Sequence, residues 1–209
     1  MSKIDYECRL VERNEIQAFV EKWHYSKSIN GVMTDYCFGL YDGDELVGAM
    51  IYGRLGMANA WKRYAHNPDH VIELRRLCCI DDTPKNTESY FIGKTIRWLK
   101  NNTELKAIIS YADCNQNHEG TIYKASNFCF EGKTSPGRVI VRKEDGRQYH
   151  DKAVRTKYNG KLKPFAKKLK EELERGEAEY VETVGKNIYV YVIARTHAER
   201  KAWREWNEL

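Results

Sequence analysis

With 209 residues, 42% of them apolar and 31% charged, the chain is long for one domain and short for two, so one core carrying an extension is expected. No run approaches the roughly 18 uninterrupted apolar residues of a membrane span, and the opening MSKIDYECRL lacks a signal peptide's apolar segment, which argues against a membrane or secreted protein and for a cytoplasmic one. The net charge of +5 is unevenly spread: between Lys133 and Lys170 stand thirteen lysines and arginines against three acids, a surplus of ten that points to a polyanionic partner.

The first element is a helix over NEIQAFVEKWHYS, with Asn14 placed to cap it and Ile16, Phe19, Val20 and Trp23 recurring at helical spacing. After the polar stretch His24–Thr34, CFGLYDGDELVGAMIYG reads as a hairpin turning at Asp42-Gly43-Asp44. A loop rich in aromatic and basic residues leads to the strand VIELRRLCCI. DDTPKNTESYFIGKTIRWLKNN then gives a turn and a helix, its apolar face built from Phe91, Ile92, Ile96 and Leu99, with Asn86, Thr87 or Ser89 able to cap its start. KAIISYAD is a strand ending at Asp113, GTIYKASNF a short helix, and FCFEGKTS a return to the sheet. GRVIVRKEDGRQY forms a hairpin around Asp145-Gly146, PFAKKLKEELERG a helix closed by Gly176, and NIYVYVIAR a late strand. This order predicts a single mixed α/β domain over 1–209: a central twisted mixed sheet flanked by helices, with residues 1–132 as catalytic core and 133–209 as a basic extension.

Six cysteines (Cys8, Cys37, Cys78, Cys79, Cys114 and Cys129) sit mostly in apolar runs without a C-x-x-C pair, as buried free thiols do. Cys114 and His118 are too few ligands for structural zinc, and no metal site is assigned. Acid–base and hydrogen-bonding groups crowd two places. One is the run after the strand, with Tyr111, Asp113, His118, Tyr123 and Asn127; the other is Trp23-His24-Tyr25-Ser26. Asp113 reads equally as a cap, His24 as a capping residue, and the two tyrosines as packing groups. Asn86 and Ser89 stand where a helix start favours anions, although no phosphate-loop motif is present.

WHYS (Trp23–Ser26), FGLYDGDELVGAMIYG (Phe38–Gly53), ELRRL (Glu73–Leu77), NTESYFIGKTIRWL (Asn86–Leu99) and YADCNQNHEGTIYKASNF (Tyr111–Phe128), in this order, resemble the Mom family of phage DNA-modification proteins, within the GNAT-like superfamily. DGRQYHDKAVRTKYN resembles the next stretch more loosely. Two departures stand out: Cys114 replaces the usual proline after YAD, and the pyrophosphate signature Q/R-x-x-G-x-G/A is missing. The resemblance implies a GNAT-like fold and transfer of a carbamoylmethyl-type group to N6 of adenine in double-stranded phage DNA, shielding it from restriction inside the infected host.

On that resemblance Asp113 contacts or deprotonates N6, Tyr123 donates a proton or orients, and His24 and Ser26 stand across the pocket. Asn86, Ser89 and Asn127 hold an activated small-molecule donor. Arg76, Arg142, Lys143, Arg147, Lys152 and Arg155 meet phosphate, and Tyr25 and Tyr111 stack a flipped base. The donor is left open between coenzyme A and another activated carrier of acyl or aminoacyl type. Iron is implied by the family alone, with His24, His118 and His150 as guesses. Oligomeric state is open, a homodimer being the simplest assembly. Two rival readings stay open: an acyl-CoA-dependent N-acetyltransferase of a protein or small molecule, and a non-catalytic DNA-binding protein that shields sites from nucleases.

Overall fold

The computed structural model describes residues 5–57, 59–116 and 118–206; Asn117, within the run Tyr111–Phe128, and the first four residues of the N-terminal reading lie outside them. The chain forms two compact units. The first comprises Met1–Ala112, Glu119–Gly132 and Asn187–Leu209, and the second Asp113–His118 and Lys133–Lys186.

The first unit is built on a seven-stranded sheet. In chain order it holds β1 (Glu7–Val11), α1 (Arg13–Trp23), β2 (Tyr36–Asp42), β3 (Glu45–Gly53), β4 (Val71–Cys79), α2 (Thr87–Asn102), β5 (Ala107–Ala112), α3 (Thr121–Ala125) and β6 (Cys129–Lys133). The sheet order is β1-β2-β3-β4-β5, then β10 (Asn187–Val192), then β6. β4 and β5 run parallel, whereas β1–β2, β2–β3, β3–β4 and β5–β10 are antiparallel.

Both faces of β3 are buried because successive side chains point to opposite sides and each side has a helix. Ala49 and Ile51 join Ile16 and Val20 of α1, while Met50 and Tyr52 join Phe91, Ile92 and Leu99 of α2. Within the second cluster Tyr52 donates to or accepts from Thr95 Oγ1 at 2.8 Å, which satisfies both buried hydroxyls.

The second unit holds β7 (Gly137–Arg142), β8 (Gln148–His150), α4 (Pro164–Glu174) and β9 (Ala178–Thr183), with strand order β8-β7-β9. Leu169 of α4 packs on Ile140 and Ala178. A final helix, α5 (His197–Trp206), returns to the first unit, where Trp203 Nε1 donates to the Tyr64 carbonyl at 3.0 Å.

The hairpins and the helices from α1 to α4 fall where periodicity places them. Three corrections apply. α1 starts two residues earlier than a cap at Asn14 would allow, with Glu12 at the cap and its N–H donating to Glu15 at 2.6 Å. The last predicted strand, β10, lies in the large sheet between β5 and β6 rather than with the basic segment's other strands. β1, β9 and α5 carry no expectation from the sequence. Cys37 and Cys78 are buried as expected, but Cys129 is exposed.

Candidate active site

The large sheet splits at one seam. β4 and β5 pair from Val71↔Ala107 to Leu74↔Ser110 and then part, although β4 stays bonded to β3 as far as Cys79 and β5 stays bonded to β10 as far as Ala112. Register also slips between β3 and β4, since Ile51 faces Arg76 and Tyr52 faces Leu74, leaving Arg75 as a bulged residue. A bulge re-aims side chains, and ligands commonly occupy the carboxyl ends of parallel strands.

Ser110, the last residue of β5 paired with β4, is fully buried and its Oγ donates to the Leu74 carbonyl at 3.4 Å, across the seam. Ser110 also hydrogen-bonds Tyr123. Burial raises the Tyr123 pKa, with the Tyr25, Glu73 and Tyr189 charges adding to it and the Ser110 bond opposing it. The phenol therefore keeps its proton and is a donor. Its ring lies 5.4 Å from Tyr189 and 5.5 Å from Phe128.

α3 carries Tyr123 because Gly120, at φ +83, turns the chain into the helix against the Tyr189 ring. The Tyr189 hydroxyl fixes that turn by donating to the Glu119 carbonyl at 2.6 Å.

On β4, Glu73 and Arg75 form a largely enclosed ion pair at 3.0 Å, and Arg75 also donates to the Arg54 carbonyl at 2.8 Å. Arg75 Nε is buried with no acceptor among the described residues. An orphaned buried donor is unfavourable by about 1–3 kcal/mol and calls for an explanation such as a ligand. Tyr111 stands in the same field: burial and then the Glu73 and Glu131 carboxylates push its pKa up to about 12, against the Arg75 charge. The Glu131 carboxylate is almost fully enclosed and accepts from Tyr64 Oη and Arg63 Nε, both at 2.6 Å.

The turn after α1 reaches the same region. Arg76 donates to the Ser28 carbonyl at 3.4 Å and to the Arg75 carbonyl at 2.7 Å; burial lowers its pKa, and Tyr25 is the largest influence opposing that. His24 is buried, with Nδ1 accepting the Ser26 N–H at 3.1 Å and lying 2.8 Å from Ser26 Oγ. That assigns the neutral ring's proton to Nε2. Tyr25, half exposed, packs its ring 4.3 Å from that of His24.

The structure thus gathers Tyr25, Arg76, Tyr111 and Tyr123 with the His24–Ser26 turn, and adds Glu73, Arg75, Ser110 and Glu131, which sequence reasoning missed. Charged residues inside the apolar strand VIELRRLCCI were the available signal for two of these.

Other expected residues lie differently. Asp113 belongs to the second unit, where its carboxylate accepts from Lys186 at 3.0 Å and from the Asn115 side chain and backbone N–H at 2.9 and 3.1 Å. Burial alone would raise its pKa, but the Asn115 and Lys186 bonds prevail and hold it below the ordinary value. A carboxylate so held accepts hydrogen bonds and is a weak base. Asn127 is exposed and left-handed at the end of α3. Arg142 is tied to Glu172 at 2.8 Å, Lys143 to Glu179 at 3.5 Å and Arg155 to Asp151. No ion pair involves Arg147 or Lys152 among the described residues.

The donors present bear on two cofactors, a pyrophosphate-bearing carrier and iron. At the start of α2, Asn86 is left-handed and makes no side-chain cap bond, and Ser89 Oγ donates to the Asn86 carbonyl. In the sequence DDTPKNTE leading into that start, Asp81, Asp82 and Glu88 stand against one cation, Lys85. This charge balance does not fit a pyrophosphate. No group of three or more His, Cys, Asp or Glu side chains that could hold a metal ion occurs among the described residues, so iron finds no matching ligand set there.

Seven strands splayed between β4 and β5, with helices on both faces, form the GNAT fold. The acetyltransferase of GNAT family from Streptococcus pneumoniae superposes with a TM-score of 0.51 over 91% of this chain and 100% of its own, at 10% identity. A "probable acetyltransferase" of Staphylococcus epidermidis gives 0.50 over 90% and 99%, at 12% identity.

Within that fold the chain belongs to the Mom protein family, whose model matches residues 5–206. The methylcarbamoylase mom of Escherichia phage Mu is 31% identical over 141 residues, 65% of this chain and 56% of that relative. The chain therefore spans little more than half the length of that curated relative. No helix among the described residues is long and apolar enough to cross a membrane.

Proposed function

We propose that the chain is a transferase that attaches a carbamoylmethyl-type group to N6 of adenine in duplex phage DNA, protecting it from restriction. Membership of the Mom family and the name of the phage Mu relative support the chemistry. The single structural observation that supports a site for it is the β4–β5 seam, where the protonated Tyr123 bonds Ser110 and feels the charge of Glu73, and Glu73 pairs with Arg75, whose Nε–H is buried without an acceptor among the described residues.

Adenine N6 is a poor nucleophile, because its lone pair is delocalised into the ring, so orientation and proton management must supply the rate. In this proposal Arg75 Nε and Arg76 receive the donor's carbonyl oxygen, and Tyr25 stacks the flipped adenine. N6 bonds to the donor carbon as the leaving group departs. Tyr123 passes a proton to that group and recovers one from N6, so the phenol never holds a lasting negative charge. His24, fixed by Ser26, presents its Nε2 proton as a hydrogen-bond donor.

Asp113 serves to hold the segment after β5 rather than as the base. The acidic start of α2 favours a donor without a pyrophosphate, so Asn86 and Ser89 take no step. Cations without a carboxylate partner, Arg147 and Lys152 among them, meet the DNA backbone.

Mass spectrometry of nucleosides from DNA of expressing cells tests the reading. An added mass on deoxyadenosine supports it. Unmodified nucleosides, or tight coenzyme A binding without salt-sensitive DNA binding, contradict it.

A further inference from the structure

The basic segment contains two kinds of cation. Most of those on the sheet and helix of the second unit face carboxylates: Arg142 and Lys168 meet Glu172, Arg138 and Arg155 meet Asp151, Lys143 meets Glu179, and Lys170 meets Glu174. Residues 156–163, TKYNGKLK, contain three lysines and no acid. No carboxylate forms an ion pair with Lys157, Lys161 or Lys163 among the described residues. Cations left this way hold only solvent counterions, which a polyanion releases on binding.

The same segment has a fixed shape. Tyr158 N–H donates to the Lys161 carbonyl at 2.8 Å and Lys161 N–H to the Tyr158 carbonyl at 3.0 Å. Asn159 at φ 48 and Gly160 at φ 75 between them have the positive dihedrals of a type I′ turn, the tight hairpin turn that Asn-Gly favours. At the base of this two-residue tip the Tyr158 side chain is 57% exposed, and the Lys163 ammonium lies 4.2 Å from its ring centroid. A large ring is thus held in solvent by a cation, within a narrow ribbon flanked by unpaired lysines.

We propose that the Tyr158–Lys161 hairpin is a finger that inserts into a groove of duplex DNA. Lys157, Lys161 and Lys163 bind phosphates, and the Tyr158 ring stacks against a base step. A two-stranded ribbon is of a size that the major groove admits, and aromatic or apolar wedges at base steps ease unstacking. An enzyme that must extrude its target base gains from such a wedge. The inference rests on the DNA-modification reading and adds to it a second contact, outside the β4–β5 seam.

Binding of a short fluorescent duplex across a range of salt tests it. Replacing Lys157, Lys161 and Lys163 together with Gln is expected to reduce the steepness of log affinity against log salt by about 2 to 3. Tyr158→Ala is expected to weaken binding roughly tenfold with the slope unchanged, and Tyr158→Phe to bind like wild type. All these side chains are exposed, so the unfolding midpoints should match wild type.

Wild-type slope and affinity in both the lysine and alanine variants would overturn the finger while leaving DNA modification standing. Absence of salt-dependent binding by the wild-type chain would overturn both. Loss confined to phosphatidylserine vesicles, with duplex binding intact, would assign the hairpin to a membrane surface and also overturn the proposal.

Discussion

Tyr123 and Asp113 show how surroundings decide what an ionisable side chain can do. Burial keeps the Tyr123 proton on, so a step that needs the neutral phenol should continue undiminished as pH rises through 10.0, its ordinary value, and fail only above. Adduct formation at a series of pH values checks this; a decline centred below that value would contradict it. Asp113 is the opposite case. Its folded pKa lies below the ordinary 3.8, so its stabilisation is complete above that value and is lost as pH falls through the folded one. Asp113→Asn is therefore expected to lower the urea midpoint at neutral pH and to leave it nearly unchanged at the acid end. An equal deficit at every pH would show that the lost contact is not the charged one.

Elements carry these residues, and one glycine controls the placement of α3. A Cβ at Gly120 would lie 2.1 Å from the Tyr189 ring, at a φ of +83 that L side chains rarely adopt. Gly120→Ala should cost about 2–4 kcal/mol and displace Tyr123, whereas Gly43→Ala, with open space around its Cβ, should cost only about 1 kcal/mol. Chemical denaturation of the two variants compares them directly; equal destabilisation would contradict the steric account.

The elements with strong periodicity were legible in the sequence, since α1, α2 and α4 each bury an apolar stripe and β3, β5 and β10 each repeat apolar residues. β1 was hidden because ECRLV is a short edge strand with charged residues pointing outward, and β9 because AEYVET exposes four of its six side chains. The site was half legible. Tyr25 was readable as a polar group closing a helix, Arg76 as a cation inside an apolar strand and Tyr123 as a phenol in a short helix, but Glu131 comes from a later strand, and only the folded chain shows its carboxylate meeting Arg63 and Tyr64.

At the scale of the molecule, the chain combines a sheet whose seam concentrates polar groups with a segment whose surplus charge is only partly neutralised. The count of lysines and arginines was visible in the sequence, but which of them had carboxylate partners was not, because Glu172, Glu174 and Glu179 lie downstream of the basic run and meet it only after folding. In the proposed mechanism the seam between β4 and β5 performs the transfer to adenine. The most direct test compares nucleosides from DNA of cells expressing the wild-type chain and Tyr123→Phe, read by mass spectrometry against matched levels of folded protein. A modified deoxyadenosine is expected with the wild type, and a fall of about a hundredfold or more with the variant. Equal adduct from both, or the added mass on another base, would contradict it.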